Sequence, residues 1–221
     1  MPKINKDSTL NITFVGIGLC LLCSAIISFI AIQLRSVQEN NVVLDMQKKI
    51  VSSAGLDEVY GSVENAMSNI KTLIIDLDRG EIVDINPETY ELSKELREDG
   101  KYKFLSAEED VASIKKREKY SKVYIEYKDN EINTLILPVR GYGLWGILYG
   151  YLAIEGDFNT VAGLEFYEHK ETPGLGAEID NPKWKALWKG KKIYQENGEV
   201  SLKVVKGSVM KTSDNFSYEI D

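Results

Sequence analysis

The chain has only two cysteines and one histidine among its 221 residues. Cys20 and Cys23 both fall within one apolar N-terminal run, so neither can cross-link a domain outside that run, and a disulfide framework is excluded. The single histidine, His169, cannot build a histidine-based metal site, and no second cysteine or histidine cluster accompanies the C-x-x-C spacing. We therefore expect no metal site and no disulfide scaffold.

The chain also lacks an excess of positive charge. It carries 27 Lys and Arg against 34 Asp and Glu, a net charge of −7, which argues against nucleic acid as a partner because nucleic acids select basic faces. The charged run 115–119 is interpreted as a solvated face. In the run 183–189, Trp184 and Trp188 fall on one face of a predicted short helix and are expected to pack on the sheet while the intervening lysines stay in water.

One long segment is free of charged residues, from Ser8 to Leu34. Its densest part, Ile12 to Ile32, would span roughly 31 Å as a helix, which matches the hydrocarbon core of a bilayer. A cleavable signal peptide is the alternative, but its apolar region is only about 7–15 residues long and ends in a small-x-small site, which residues 29–33 do not offer. We predict an uncleaved transmembrane helix over residues 10–34.

The remaining residues alternate between helical and β-like patterns. Apolar residues at helical spacing predict a juxtamembrane helix over 35–55, and residues 57–70 a second short helix. β-like runs at 72–77 and 81–85 predict a hairpin, and those at 123–127, 134–139, 145–155 and 161–167 predict strands joined by short loops. Short connections imply antiparallel neighbours, so we expect an α+β fold with a curved antiparallel sheet flanked by helices.

Further expectations concern details of that fold. Residues 87–97 are expected to contribute a short helix. Gly146, Gly150 and Gly163 lie inside predicted strands and indicate bulges or bends. A hairpin across Glu196–Gly198, formed by residues 193–194 and 200–205, is expected to close the sheet.

Two glycine-containing loops stand out among the connections. Residues 140–145 combine two glycines with a cation and with aromatic and apolar side chains, which suits either a flat ligand or a tight hairpin whose aromatics cover the sheet. Residues 169–176, His-Lys-Glu-Thr-Pro-Gly-Leu-Gly, end a β-like run abruptly, because Pro173 cannot donate to a ladder and the glycines permit close approach. By itself, Pro-Gly-x-Gly is a turn signal.

The octet 169–176 resembles the signature of the extracytoplasmic FMN-binding domain that two families share, NqrC of the Na+-translocating NADH:quinone reductases and RnfG of the Rnf complexes. The N-terminal anchor, residues 138–146 (Pro-Val-Arg-Gly-Tyr-Gly-Leu-Trp-Gly) and residues 181–188 (Asn-Pro-Lys-Trp-Lys-Ala-Leu-Trp) fit the NqrC family in the right order. The resemblance implies a cytoplasmic N-terminus at 1–9 and a periplasmic domain at 56–221. The positive-inside count does not decide this orientation, since Lys3 and Lys6 precede the apolar run and Arg35, Lys48 and Lys49 follow it.

The resemblance further implies an FMN-carrying electron-transfer subunit of a bacterial inner-membrane complex, with the other subunits and membrane lipid as partners and Na+ export driven by the whole complex. Leu144 and Trp145 are expected on one side of the flavin and Glu171, Thr172 and Leu175 on the other. The full set of residues that the resemblance assigns to the cofactor is Arg140, Gly143, Leu144, Trp145, Glu171, Thr172, Gly174, Leu175, Gly176 and Lys206. The RnfG family is one alternative, and a non-redox membrane-anchored assembly or ligand-binding module is another.

One family feature is missing from the sequence. The family attaches FMN through its phosphate to a threonine in a motif of the form Ser/Asp-Gly-Ala-Thr-x-Thr/Ser, expected just beyond residues 216–221. Residues 211–213, Lys-Thr-Ser, lack the Gly-Ala of that motif, so the linkage is not assigned to Thr212. We therefore expect a domain that is incomplete at its C-terminus, with a shortened protein that cannot be flavinylated in this manner as the alternative.

Overall fold

A computed structural model describes residues 8–210 and 215–221. The chain divides into two compact units, Met1–Asp45 and Met46–Asp221. The expectations for residues 1–7, including the positions of Lys3 and Lys6, and for Thr212 lie outside the described residues.

The first helix, α1, is continuous from Thr9 to Ser53 and therefore covers both the predicted transmembrane and juxtamembrane segments. An 18-residue window within it has a mean hydropathy of 2.6, and none of that window is buried. By length and composition this helix is able to cross a membrane. Its last residues behave differently, since Ile50, Val51 and Ser53 are buried.

The main sheet of the second unit has six strands, all paired antiparallel, in the order β2-β1-β5-β6-β7-β8. The predicted α+β class, with an antiparallel sheet and helices behind an apolar N-terminal helix, is confirmed. Two further pairs, β3 with β4 and β9 with β10, lie outside this sheet. The strands are β1 Ile70–Asp76, β2 Glu81–Val83, β3 Tyr102–Phe104, β4 Lys116–Glu118, β5 Tyr120–Lys128, β6 Glu131–Tyr142, β7 Ile147–Glu155, β8 Val161–Glu168, β9 Lys203–Val204 and β10 Glu219–Ile220.

The remaining helices are short. They are α2 Leu56–Tyr60, α3 Val63–Ser68, α4 Leu92–Glu95 and α5 Pro182–Ala186, with a 3-10 helix at Gly176–Asp180. The helix predicted over 57–70 is thus two helices, because Ser62 caps a new start by accepting a hydrogen bond from the Asn65 amide. Of the helix expected within 87–97, only the four residues of α4 are helical.

The largest cluster of buried apolar residues lies on one face of the sheet, which we call the covered face, and Val123, Ile125, Ile154 and Leu164 are buried on the other face. Ile70, Tyr124, Ile136, Tyr151 and Ala153 project from the covered face, because residues two apart on a strand share a side. The buried residues packed against them come from the end of α1 and from α2 and α3, and they are Ile50, Val51, Leu56 and Ala66. The helices therefore close this face by apolar contact.

The pairing of β7 with β8 is interrupted twice, with register shifts between Tyr149 and Gly150 and between Ala153 and Ile154. The first shift coincides with Gly150, and the second lies beside Gly163, which pairs with Ala153. The predicted irregularities at these two glycines are therefore present. Gly146 lies outside the strands, in the connection before β7.

Three predictions about the second unit are wrong. Tyr194 does bridge to Val200, but β9 pairs in parallel with β10 and adds no strand to the main sheet. The charged run at 115–119 contains β4, whose Glu118 is buried. Lys185 does not stay in water, because Glu165 on β8 accepts hydrogen bonds from Lys185 at 2.6 Å and from Lys49 at 3.0 Å.

Candidate functional site

The first candidate loop connects β6 to β7. The amide of Gly143 donates to the carbonyl of Gly146 at 2.7 Å, which closes a tight turn around Leu144 and Trp145. Those two side chains are 77% and 63% exposed, so they do not serve as core residues. Both are free to contact a ligand.

The second candidate loop follows β8. Its turn is held by the Thr172 carbonyl, which accepts hydrogen bonds from the amides of Leu175 and Ala177, both at 3.1 Å. Gly174 has φ 74°, a left-handed conformation that L side chains rarely adopt. The turn leaves the Leu175 side chain 73% exposed.

Glu171 joins the two loops. Its side chain is buried, and its Oε1 accepts a hydrogen bond from the Trp145 amide at 3.1 Å. A Cβ atom on Gly143 would lie 2.4 Å from Oε1, and one on Gly176 would lie 2.4 Å from Oε2, so the carboxylate occupies the space that these glycines leave. The resemblance assigned both glycines and Glu171 to the cofactor site. Nothing in the sequence indicated that the Glu171 carboxylate lies against the two glycines.

His169 supports the second loop in a way that sequence reasoning missed. Its Nδ1 lies 3.2 Å from the Glu171 amide, which donates to it, and its Nε2 lies 2.8 Å from Oδ2 of Asp180. The tautomer with the proton on Nε2 satisfies both contacts. Asp180 ends the 3-10 helix eleven positions after His169, and no motif links the two residues in the sequence.

Two of the residues assigned by resemblance lie apart from this junction. The Arg140 side chain is buried, pairs with the Glu118 carboxylate and donates to the Lys116 carbonyl at 2.8 Å. Lys206 is exposed in the segment after β9, and no hydrogen bond or ion pair joins it to either loop within the described part of the chain. The structure therefore brings together the glycines, Leu144, Trp145 and residues 171–176.

The arrangement suits a flat ligand. Two exposed leucines and a tryptophan offer apolar surface around a polar junction. Among the residues that the structure describes, no group of three His, Cys, Asp or Glu side chains is placed to hold a metal. A planar ring with polar edges fits this combination of apolar side chains and loop backbone.

Similarity to known proteins decides the family. The FMN-binding domain family matches residues 143–221. The chain is 44% identical over 222 residues to NqrC of the Na(+)-translocating NADH-quinone reductase of Pseudomonas aeruginosa, covering 98% of this chain and 85% of that protein. The chain belongs to the NqrC family. A second member, from Vibrio anguillarum, is 40% identical over 211 residues, covering 96% of this chain and 83% of that protein.

Solved structures of the NqrC family agree with the fold. The crystal structure of Shewanella oneidensis NqrC matches with a TM-score of 0.71 and 30% identity, covering 80% of this chain and 81% of that chain. The NqrC protein from Parabacteroides distasonis matches with a TM-score of 0.60 and 29% identity, covering 85% and 83%. FMN is thus the cofactor that the family implies. Both loops lie within residues 143–221, which the FMN-binding domain family matches, whereas Arg140 lies before this matched range.

Proposed function

We propose that this chain is the FMN-carrying electron-transfer subunit of a Na+-translocating NADH:quinone reductase. The single observation that carries the proposal is the junction at Glu171, which joins two loops that each present apolar side chains to solvent. The match of these loops to an FMN-binding family and the names of the relatives support the same function.

Within this proposal, each residue at the junction has a distinct task. Leu144 and Trp145 pack beside the flavin ring from the first loop, and Thr172 and Leu175 contact it from the second. Glu171 holds the loops at a fixed separation, while Gly143, Gly174 and Gly176 allow the backbone conformation and the close approach. Arg140 and Lys206 complete the proposed set of cofactor-binding residues. The Arg140 side chain pairs with Glu118, and Lys206 lies in the segment after β9.

FMN, when bound, supplies one-electron transfer, and the chain binds and orients it. NADH oxidation and the Na+ path belong to partner subunits of the complex, whose turnover drives Na+ export. The apolar helix α1 anchors the protein in the lipid of the bacterial inner membrane, with residues 1–9 in the cytoplasm and residues 56–221 in the periplasm.

The proposal is tested by the double variant Thr172→Ala with Leu175→Ala. Burying one leucine side chain stabilises a complex by about 1.5–3 kcal/mol, so we expect FMN affinity to fall by about tenfold or more. The measurement is the amount of FMN retained per protein after gel filtration of the full chain in detergent.

The matched control is Thr89→Ala with Val111→Ala, which removes a threonine and an exposed apolar side chain outside the FMN-binding match. This control should retain as much FMN as the wild type. Equal retention in the two double variants would place the flavin elsewhere and refute the proposed site.

A further inference from the structure

A cavity lies on the covered face of the sheet, away from the two loops. It has a volume of about 500 Å³, and none of its lining residues belongs to residues 143–146 or 169–176. It lies between α4 and the strands β5, β6, β7 and β8. The residues that line it include Tyr90, Lys122, Tyr124, Tyr149, Tyr167 and Glu168.

Tyrosine rings form much of the cavity wall. The rings of Tyr149 and Tyr167 have centroids 6.0 Å apart, Tyr167 lies 4.9 Å from Tyr151, and Tyr151 lies 5.8 Å from Tyr124. Tyr90, at the α4 side, is fixed by its hydroxyl, which donates to the Tyr120 carbonyl at 2.8 Å. Such a wall offers flat, rigid surfaces against which a planar ring can stack.

The cavity also holds polar groups without protein partners. Among the described residues, the hydroxyls of Tyr149 and Tyr167 make no hydrogen bond, although both rings line the cavity. Both tyrosines are half-buried, and solvent still reaches their hydroxyls in the cavity, so a ligand that displaces this water can accept a hydrogen bond from each of them. Both hydroxyls are therefore available to a ligand.

Lys122 is the free cation of the cavity. Within the described part of the chain its ammonium group has no carboxylate within ion-pair distance, and it lies 5.6 Å from the Tyr90 ring centroid. Burial lowers its pKa, and the charge of Glu91 acts in the opposite direction. Three carboxylates also line the cavity. Glu118 pairs with Arg140 and Glu91 pairs with Lys94, whereas Glu168 is exposed and has no ion-pair partner among the described residues.

We propose that this cavity binds a small planar aromatic molecule that carries an oxygen acceptor, with the ring against the tyrosines and the oxygen on Lys122. Its volume falls within the range of about 300–1,000 Å³ that small-molecule sites occupy. A half-buried ammonium and two tyrosine hydroxyls can all donate hydrogen bonds to carbonyl, phenolate or carboxylate oxygens. Quinone rings and aromatic carboxylates share this chemistry.

The test is isothermal titration of the full chain in detergent with two probes, duroquinone and 4-hydroxybenzoate. Duroquinone is fully substituted, so it does not add to the thiols of Cys20 and Cys23. We expect at least one probe to bind, and the identity of that probe distinguishes a quinone site from an aromatic carboxylate site. Failure of both probes to bind would overturn the proposal.

The variant Lys122→Met removes the ammonium group and keeps a long side chain. A hydrogen bond to a charged group contributes about 1.5–3 kcal/mol, so probe affinity should fall by about tenfold or more. The matched control is Lys71→Met, because Lys71 is exposed on the neighbouring strand β1 and points to the opposite face of the sheet. Equal affinity in the two variants would overturn the proposal.

A milder variant, Tyr167→Phe, removes only a hydroxyl and covers the case in which Lys122→Met does not fold. It should weaken binding severalfold while the FMN retained per protein stays at the wild-type level. Unchanged probe affinity in Tyr167→Phe, or a parallel loss of FMN, would contradict a separate site at this cavity.

Discussion

The covered face of the sheet and the two candidate loops are built by different interactions. On the covered face, the side chains of Val51, Ile136 and Ala153 are fully buried and pack by apolar contact. At the loops, the apolar side chains face solvent, and a single buried carboxylate with two glycines sets the geometry. The first region should therefore determine whether the domain folds, and the second whether it binds its cofactor.

Truncation of a core side chain tests the first half of this comparison and has the largest expected effect. Ile136→Ala removes a fully buried side chain from β6, and such a change costs about 2–5 kcal/mol of folding free energy. The measurement is urea unfolding of the full chain in detergent, followed by tryptophan fluorescence. Ile82→Ala on β2 is the control, because Ile82 is 66% exposed, and a similar loss in both variants would mean that the covered face is not the core.

FMN binding at the two loops should be sensitive to a substitution that adds a side-chain atom beside Glu171. In Gly176→Ala the new Cβ would lie 2.4 Å from the Glu171 carboxylate, and crowding of this kind costs about 1–3 kcal/mol. We expect the variant to retain much less FMN after gel filtration, with only a small change in the unfolding transition, because the crowding acts on a loop rather than on the core.

Gly174→Ala is the matched control within the same loop. A Cβ there would meet nothing within 4 Å, so its cost is only the left-handed backbone at φ 74°, about 1–2 kcal/mol. FMN retention should therefore be higher in Gly174→Ala than in Gly176→Ala. The reverse order would show that backbone conformation, and not the space beside Glu171, controls the site.

The same contrast explains how much could be predicted from the sequence. Strands β5 to β8 follow one another through short loops, so alternation and turn residues were sufficient to predict an antiparallel sheet. The parallel pair of β9 and β10 joins residues sixteen positions apart in sequence, Lys203 with Glu219, and no local pattern predicts such a pairing.

For the candidate site, the identities of the residues could be predicted from the sequence, but their contacts could not. Glycines, Trp145 and Glu171 were found because their types and spacing resemble a known signature. Their junction depends on a side chain reaching across twenty-six positions to the Trp145 amide, which no local rule anticipates. The charge patterns were misinterpreted for the same reason. Glu118 is buried beside Arg140, and Lys185 is half-buried beside Glu165, and both partners are distant in sequence.

Alkaline pH offers the smallest and most selective test of the covered face. Burial raises the pKa of Tyr124 from 10.0 to about 12, and its hydrogen bond with Tyr151 acts in the opposite direction. The unfolded chain therefore releases this proton first, so the stabilisation is complete below pH 10 and is lost as pH rises toward 12.

For one such group the loss is about 1 kcal/mol between pH 10 and pH 11. We expect the urea midpoint of the wild type to fall over this interval more steeply than that of Tyr124→Phe, which keeps the buried ring but has no proton to lose. Equal pH slopes in the two proteins would mean that Tyr124 titrates alike in both states. The effect would then have to be sought in Tyr151 and Tyr167, whose pKa values burial also raises.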